Sequence, residues 1–271
     1  MPPKVQPAPC RVCGAESNFI FFGDLLDHRV AYHECPQCRY VQTETPHWLS
    51  QAYAESINRS DTGILRRNER NTRLVIRTMA LLGHLQGTVV DCAGGYGLLV
   101  RMLRDRGVNA RWSDPYCDNL VARGFEAEAG SRADLVTAFE ALEHFVHPTE
   151  ELKALLDRTD NLLVSTDLIA SPAPAPGRWW YYAPEHGQHI GFYRLATLQW
   201  LARSFGVHLV SDRKAFHLFT RDPVAAWRWM LARRTAKWAP LLAKLRLRSL
   251  VWVDHRTMSA RDASSPEPTP Q

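Results

Sequence analysis

The stretch VVDCAGGYGLLV, residues 89–100, constrains the fold more than any other part of the chain. Thr88 to Cys92 has the apolar character of a buried strand, and Leu98 to Arg106 has a helical pattern with Gly107 as a stop signal. Glycines at 94, 95 and 97 occupy the turn between them. In open α/β sheets such a turn lets a ligand approach the backbone at the carboxyl ends of the strands. The stretch therefore predicts a ligand site.

Further strands and helices alternate after this turn. Pro115 suits the first turn of an additional helix. Alternating elements of this kind predict an α/β fold with a doubly wound, mainly parallel sheet and a terminal antiparallel hairpin. The predicted strands are 108–113, 133–139 and 161–166, the helix is 150–158, and the hairpin is 206–211 with 215–220.

The type of ligand follows from what surrounds the glycines. No Gly-Lys-Ser or Gly-Lys-Thr follows them, which excludes a phosphate loop, and Val100 stands where a dinucleotide site would have its third glycine. Asp91 lies beside the turn, and Asp114 ends the next predicted strand. Since a carboxylate at that position can accept both ribose hydroxyls, the pattern favours a cationic nucleoside.

Residues 88–220 resemble the class I S-adenosylmethionine-dependent methyltransferases. VVDCAGGYG is similar to their first motif, Asp114 to their ribose-binding acid, and ADLVTAFEALEHF to their fourth-strand motif. Ala93 departs from the pattern, because a glycine is usual at this position. We therefore expect the turn to fit the cofactor less well but still to bind it. The alternative is that the turn merely joins a strand to a helix. The resemblance implies S-adenosylmethionine as cofactor and the following cofactor-binding residues: Asp91, Ala93, Gly95, Gly97, Asp114, Phe139 and Glu140.

The sequence does not identify the residues that would recognise the adenine, because residues 124–132, where the third strand is expected, show no clear strand pattern. A predicted helix from Ile64 to Leu82 carries Arg67, Asn68 and Asn71, which could cap the cofactor. Ordinary helix surface is the favoured interpretation of these three.

Two Cys-x-x-Cys pairs, with 21 residues between them, stand near the N-terminus. Four thiolates in such knuckles can surround a tetrahedral ion, so we predict a structural zinc site with the ligands Cys10, Cys13, Cys35 and Cys38. Redox disulfides are the alternative. His28 and His33 could substitute as ligands, and Cys92 and Cys117 are expected to be buried small residues.

A zinc module before such a domain resembles two families: methyltransferases of sugar and polysaccharide pathways, and a ribosomal RNA guanine methyltransferase family. The stretch Thr45-Pro-His-Trp-Leu49, with Tyr53 and Asp61-Thr62-Gly63, resembles the first, and so does the unmixed cysteine set. The expected function is therefore O-methylation of a sugar, a glycan precursor or a related small molecule. An RNA methyltransferase and a non-catalytic, zinc-stabilised interaction module remain alternatives.

The acceptor is expected beneath residues 171–193, where Trp179 to Tyr182 are four consecutive aromatics. They can stack on sugars or bases as a lid, or simply pack under a long loop. Methyl transfer to a hydroxyl needs positioning and a base, and the candidate catalytic bases are His144, His189 and His186. Because the body shows no evident cluster of metal ligands, we expect metal-independent transfer.

The chain of 271 residues has a formal charge of +5, and Val224 to Leu250 contains seven Lys or Arg and no Asp or Glu. A segment of this kind can bind nucleic acid, an acidic ligand or an anionic membrane surface, although an ordinary solvated helix face is the favoured interpretation. Apolar residues recur there at helical spacing: Trp227, Leu231 and Trp238. This spacing favours a helix that packs its apolar side on the body over a helix that lies at a membrane surface. No transmembrane segment or signal peptide is evident, so a cytoplasmic location is expected.

The expected organisation has six parts. They are a disordered segment (1–9), a zinc knuckle module (10–45), a helical linker or cap (46–84), a methyltransferase domain (85–220), a basic helical extension (221–258) and a disordered tail (259–271).

Overall fold

The structure, a computed structural model, describes residues 6–54 and 61–264, the last four of these by their backbone alone. Residues 1–5 of the expected disordered start, 55–60 of the linker and 265–271 of the tail lie outside the described residues. Within the described part, no helix is both long enough and apolar enough to cross a membrane.

A six-stranded sheet forms the centre of the molecule. Its strands are β5 (Thr88–Cys92), β6 (Asn109–Ser113), β7 (Leu135–Phe139), β8 (Asn161–Ser165), β10 (His208–Ser211) and β11 (Phe216–Thr220). They lie in the order β10-β11-β8-β7-β5-β6, and β6, β5, β7 and β8 run parallel. The hairpin of β10 and β11 joins β8 in antiparallel fashion. The predicted fold class, including the terminal hairpin, is confirmed.

Helices cover both faces of this sheet, because neighbouring residues of each strand point to opposite sides. Val89 and Leu135 face one buried apolar cluster, whereas Val90 and Val136 face another. The first cluster is closed by α2 (Ile64–Leu82), α3 (Leu98–Asp105), α6 (Ala226–Arg234) and α7 (Ala239–Arg246). The second is closed by α4 (Pro148–Leu156) and α5 (Leu195–Ser204).

The segment after β6 differs from its prediction. Residues 115–123 form turns and bends, so the helix predicted to begin at Pro115 is wrong. Asp114 accounts for this, because its Oδ1 accepts hydrogen bonds from the backbone N–H groups of Tyr116 and Cys117 and holds a turn. Beyond it, Glu126 makes an isolated parallel bridge with Trp112.

A second, antiparallel sheet contains the cysteine pairs. Its order is β1-β2-β3-β4-β9, with β1 (Ala8–Pro9), β2 (Glu16–Leu25), β3 (His28–Glu34), β4 (Val41–Thr43) and β9 (Gly191–Phe192). Ala8 and Pro9, expected to be disordered, pair with Ser17 and Glu16. Because β9 belongs to the segment predicted to cover the acceptor, that segment and the cysteine region share one sheet. A short helix, α1 (Leu49–Ala52), follows this sheet.

The C-terminal helices pack on the body through a face other than the predicted one. Trp229, Ala232, Ala239 and Ala243 are buried against the core. Trp227, Leu231 and Trp238, which were expected to make that contact, are exposed, so this part of the prediction is wrong. The last helix, α8 (Val251–Ser264), also continues beyond residue 258, where a disordered tail was expected.

Candidate active site

A cavity of about 1120 Å³ opens at the carboxyl ends of β5, β6 and β7. Its walls come from the glycine turn, the first half of α2, and the segment between β8 and α5. Typical sites for small ligands occupy roughly 300–1,000 Å³. The cavity therefore has room for a nucleoside cofactor together with part of an acceptor.

The glycine turn contributes to the cavity wall and has left-handed backbone at three positions. Ala93 (φ +62°) and Gly95 (φ +50°) line the cavity. Gly97 (φ +86°) is buried, and an added Cβ would come within 2.6 Å of the Asn119 side chain. Of the residues assigned to the cofactor by resemblance, Gly97 alone does not line the cavity; it allows the helix start to pack against the following loop.

Asp114 and Trp112 hold the turn from β6. The Oδ2 atom of Asp114 accepts a hydrogen bond of 2.9 Å from the backbone N–H of Gly95. The indole Nε1 of Trp112 donates a 2.8 Å hydrogen bond to the carbonyl oxygen of Gly95. The ends of β5 and β6 therefore form one rigid unit, with the Asp114 carboxylate in the cavity wall.

Asp91 lies beneath the turn and is almost fully buried. The hydroxyl of Thr137 on β7 donates a 2.6 Å hydrogen bond to its Oδ1. Burial raises the pKa of Asp91 to about 7, because the carboxylate loses its hydration. A cationic ligand in the cavity would favour the charged form of this group.

Phe139 and Glu140, at the end of β7, also line the cavity. Glu140 has left-handed backbone (φ +52°), and its N–H donates a 2.9 Å hydrogen bond to the hydroxyl of Ser165. That hydroxyl in turn donates to the Glu140 carboxylate. The pair holds this carboxylate at the edge of the sheet.

The α2 wall contains the three residues that the sequence interpretation favoured as ordinary helix surface. Arg67, Asn68 and Asn71 instead line the cavity. Arg67 forms a two-point ion pair with Asp61, and Asn71 is buried with an Oδ1 that has no hydrogen-bond partner. Because an unpaired buried acceptor is costly, Asn71 is a strong candidate for contact with a ligand donor.

The three predicted histidines also line the cavity and lie together. The ring centroids of His144 and His189 are 4.9 Å apart, and those of His186 and His189 are 5.0 Å apart. Burial lowers the pKa of all three: to about 4 for His144, well below its ordinary value for His189, and to a smaller degree for His186. All three are therefore neutral at pH 7.

Hydrogen bonds distinguish the tautomers of two of these rings. The Nδ1 atom of His189 lies 2.7 Å from the carbonyl oxygen of Tyr181, which can only accept, so Nδ1 carries the proton and Nε2 has the lone pair. The Nδ1 atom of His186 accepts from the backbone N–H of Gln188, so its Nε2 carries the proton. The Nδ1 atom of His144 lies 3.1 Å from the Tyr53 hydroxyl.

Glu143 does not line the cavity but lies beside two of the histidines that do, and sequence reasoning gave it no role although it precedes His144 in the Leu-Glu-His stretch. It is fully buried, and the Tyr181 hydroxyl donates a 2.6 Å hydrogen bond to its Oε1. Its Oε2 has no hydrogen-bond partner. Burial, and secondarily the nearby Glu140, raises the pKa of Glu143 to about 8.

The aromatic segment divides into a packing part and an exposed part. Tyr181 and Tyr182 are buried, and Trp179 packs against the second of them. Trp180 lines the cavity and remains 72% exposed. The packing alternative therefore describes Trp179, Tyr181 and Tyr182, and the lid stays a prediction that now concerns Trp180.

Two groups of side chains are arranged so that they could hold a metal ion among the described residues. The first is the predicted set of four cysteines, in which Cys10 and Cys38 have sulfurs 3.5 Å apart and Cys13 and Cys35 3.4 Å apart. Ideal tetrahedral zinc–thiolate geometry has sulfurs about 3.8 Å apart, so this set fits a zinc ion. His28 and His33 are not part of it.

The second group, Glu143 with His144 and His189, was not expected from the sequence. Its ligand atoms lie within 4.8 Å of one another. The sequence gives no sign of this cluster in the body, because the fold brings His189 to the other two residues from a distant part of the chain.

The fold is a doubly wound α/β domain with a large cavity at the carboxyl edge of its sheet. A family model described as a methyltransferase domain matches residues 64–212, more than half of the chain. The chain belongs to this family. Among curated proteins, none matches it.

Several solved structures are similar to the chain. An O-methyltransferase family protein from Burkholderia thailandensis has 15% identity and a TM-score of 0.48, over 66% of this chain and 64% of that one. Human N-acetylserotonin methyltransferase has 14% identity and a TM-score of 0.42, over 65% and 66%. The magnesium protoporphyrin IX methyltransferase of Synechocystis PCC 6803 has 16% identity and a TM-score of 0.37, over 63% and 87%. The chain thus spans less than two thirds of the first two.

Proposed function

We propose that the protein transfers a methyl group from S-adenosylmethionine to a hydroxyl of a sugar, glycan precursor or related small molecule. One observation carries the proposal: a single cavity is lined both by the glycine turn with Asp114 and by a cluster of neutral histidines. A donor site and an acceptor site in one cavity are what group transfer requires.

The charge of the cavity supports a cationic cofactor. Its lining contains seven carboxylate side chains and one guanidinium, that of Arg67, which is paired with Asp61. Such a wall attracts a sulfonium and an amino group and repels phosphates. The same wall disfavours RNA at the reacting end, so an uncharged sugar hydroxyl is the preferred acceptor.

When bound, S-adenosylmethionine supplies a methyl group on a sulfonium that an oxygen nucleophile can displace in line. Within the chain, Asp114 and Gly95 would hold the nucleoside part, and Asn71 would accept a hydrogen bond from it. The exposed face of Trp180 would stack on the acceptor.

Among the three histidines, His189 fits the role of general base best. Its Nδ1–H is held by the Tyr181 carbonyl, which leaves the Nε2 lone pair for the acceptor proton. The tautomer of His186 suits hydrogen-bond donation, and His144 would position the acceptor with Tyr53. The transfer proposed here needs no metal ion.

The four cysteines would hold a structural zinc ion. The two knuckles have matching backbones: Gly14 and Arg39 are both left-handed, and each donates its N–H to the carbonyl of the first cysteine of its pair. Thiolate ligands persist in a reducing compartment, so the proposal includes a cytoplasmic location.

Isothermal titration calorimetry with S-adenosylmethionine and with its demethylated product tests the cofactor part. We expect saturable binding of both by the zinc-loaded chain. Absence of binding would overturn the enzyme proposal and leave a zinc-stabilised interaction module.

A second experiment tests the acceptor. Incubation with labelled methyl donor and a panel of uncharged sugars, glycans, nucleotide sugars and RNA should label a hydroxyl-bearing glycan. Labelling of RNA, with binding that weakens steeply as salt rises, would replace the sugar assignment by the RNA one.

A further inference from the structure

The C-terminal helices present an exposed apolar surface that the proposed methyl transfer does not use. Of the fourteen most exposed large hydrophobic side chains among the described residues, eight lie between positions 227 and 253. Three are tryptophans, each more than half exposed. Five of the eight lie on α6, α7 and the turn between them, and we call these five the C-terminal apolar surface: Trp227, Leu231, Trp238, Leu241 and Leu245.

Helical spacing separates this surface from the contacts that anchor the helices. On α6, Trp227 and Leu231 are four residues apart and share one side, whereas the buried Trp229 and Ala232 occupy the opposite side. On α7, Leu241 and Leu245 repeat the pattern opposite Ala239 and Ala243. The helices are therefore already docked by one side, and the other side needs no contact with the body.

The charged side chains within this segment are all basic. Residues 224–250 contain no acidic residue, and six of their seven basic side chains are exposed: Arg228, Arg234, Lys237, Lys244, Arg246 and Arg248. The seventh, Arg233, pairs with Asp212. Tryptophans and aliphatic residues between outward-facing Lys and Arg are what interfacial helices use to lie in a lipid headgroup layer.

We infer that the C-terminal apolar surface docks on a membrane with anionic lipid headgroups. A second copy of the chain fits less well, because a symmetric contact would place basic residues against the same basic residues. RNA fits less well too, since leucine and valine side chains do not stack on bases. The inference is independent of the proposed methyl transfer.

Vesicle flotation with the full-length, zinc-loaded chain tests the inference. We expect the chain to float with phosphatidylcholine vesicles that contain phosphatidylglycerol, to float far less with pure phosphatidylcholine, and to lose binding as salt rises. Tryptophan fluorescence should shift to the blue with anionic vesicles and be quenched by brominated acyl chains. This readout needs no variant.

Substitution locates the contact. The triple variant Trp227→Ser, Leu231→Ser, Trp238→Ser keeps the buried Trp229, so we expect a native fold and at least a tenfold loss of vesicle affinity. Leu65→Ser on α2 is the control, because Leu65 is 64% exposed and lies outside the surface. Failure to float at low salt overturns the inference. The inference is also wrong if the chain forms a concentration-dependent dimer, or binds RNA tightly, and the triple variant abolishes that association. The surface would then belong to the second copy or to RNA.

Discussion

The carboxylate of Asp114 and the backbone of Gly95 are joined by a hydrogen bond of 2.9 Å that ties the end of β6 to the turn after β5. The other carboxylate oxygen accepts from the backbone N–H groups of Tyr116 and Cys117. One side chain therefore fixes two loops of the cavity wall.

Replacing Asp114 with alanine should weaken binding of S-adenosylmethionine by about ten- to a hundredfold, since hydrogen bonds to a charged group contribute roughly 1.5–3 kcal/mol. Titration calorimetry measures the loss. Asp118→Ala is the matched control, because Asp118 is an exposed neighbour in the same loop. Equal affinities of the two variants would show that the nucleoside lies elsewhere.

His189→Ala should lower kcat by roughly 10²- to 10⁴-fold, the usual contribution of a general base. The affinity for the cofactor should stay within about twofold, because His189 belongs to the histidine cluster and is not among the residues proposed to hold the nucleoside. His208→Ala, an exposed histidine on β10, should behave like the unmodified chain. Unchanged turnover of His189→Ala would transfer the role of base to another group.

Glu143→Gln should make stability less dependent on pH. The folded chain keeps the Glu143 proton up to about pH 8, whereas the unfolded chain releases it near 4.5. Unfolding therefore releases a proton between these values, and the free energy of unfolding falls as pH rises.

Urea unfolding at pH 5 and pH 8 measures this effect. The fall should be smaller in the variant by more than about 1 kcal/mol, since one pKa unit corresponds to about 1.4 kcal/mol. The raised pKa of Asp91 also lowers the free energy of unfolding as pH rises, and it does so equally in both proteins. Equal falls would mean that Glu143 titrates normally.

Cys35→Ser should abolish stoichiometric zinc binding and lower the melting temperature by at least about 10 °C, because the metal links two segments of the N-terminal sheet. Elemental analysis and calorimetry measure the two effects. Cys117→Ser, outside the cluster, should retain one zinc ion per chain. A Cys35→Ser protein that keeps its zinc would argue for a different ligand set.

Ala93→Gly should be neutral or stabilise the protein by up to about 1 kcal/mol. Ala93 has left-handed backbone, which costs an L-residue roughly 1–2 kcal/mol. The greater conformational freedom of glycine in the unfolded chain offsets part of that gain. Gly97→Ala should instead destabilise the protein by more than about 1 kcal/mol, since its Cβ would meet Asn119 and Ala122. Thermal unfolding compares the two, and a destabilised Ala93→Gly protein would contradict the expectation.

The sequence by itself determined the elements whose signals are local. The apolar runs of β5, β7 and β8, the glycine turn and the spacing of the cysteine pairs predicted the sheet, the ligand site and the four-sulfur cluster. Turn chemistry and hydrophobic periodicity act between residues that are close in the chain, so one sequence is sufficient to recognise them.

Tertiary structure decided which distant residues meet. His144 and His189 are 45 positions apart, and only the fold brings their rings within 4.9 Å and places Glu143 beside them. It also selected Trp229 over Trp227 for burial, because both suit an apolar helix side and the elements packed against α6, α2 and β10 among them, decide which one is covered. Such choices depend on packing between elements far apart in the chain, which local patterns do not encode.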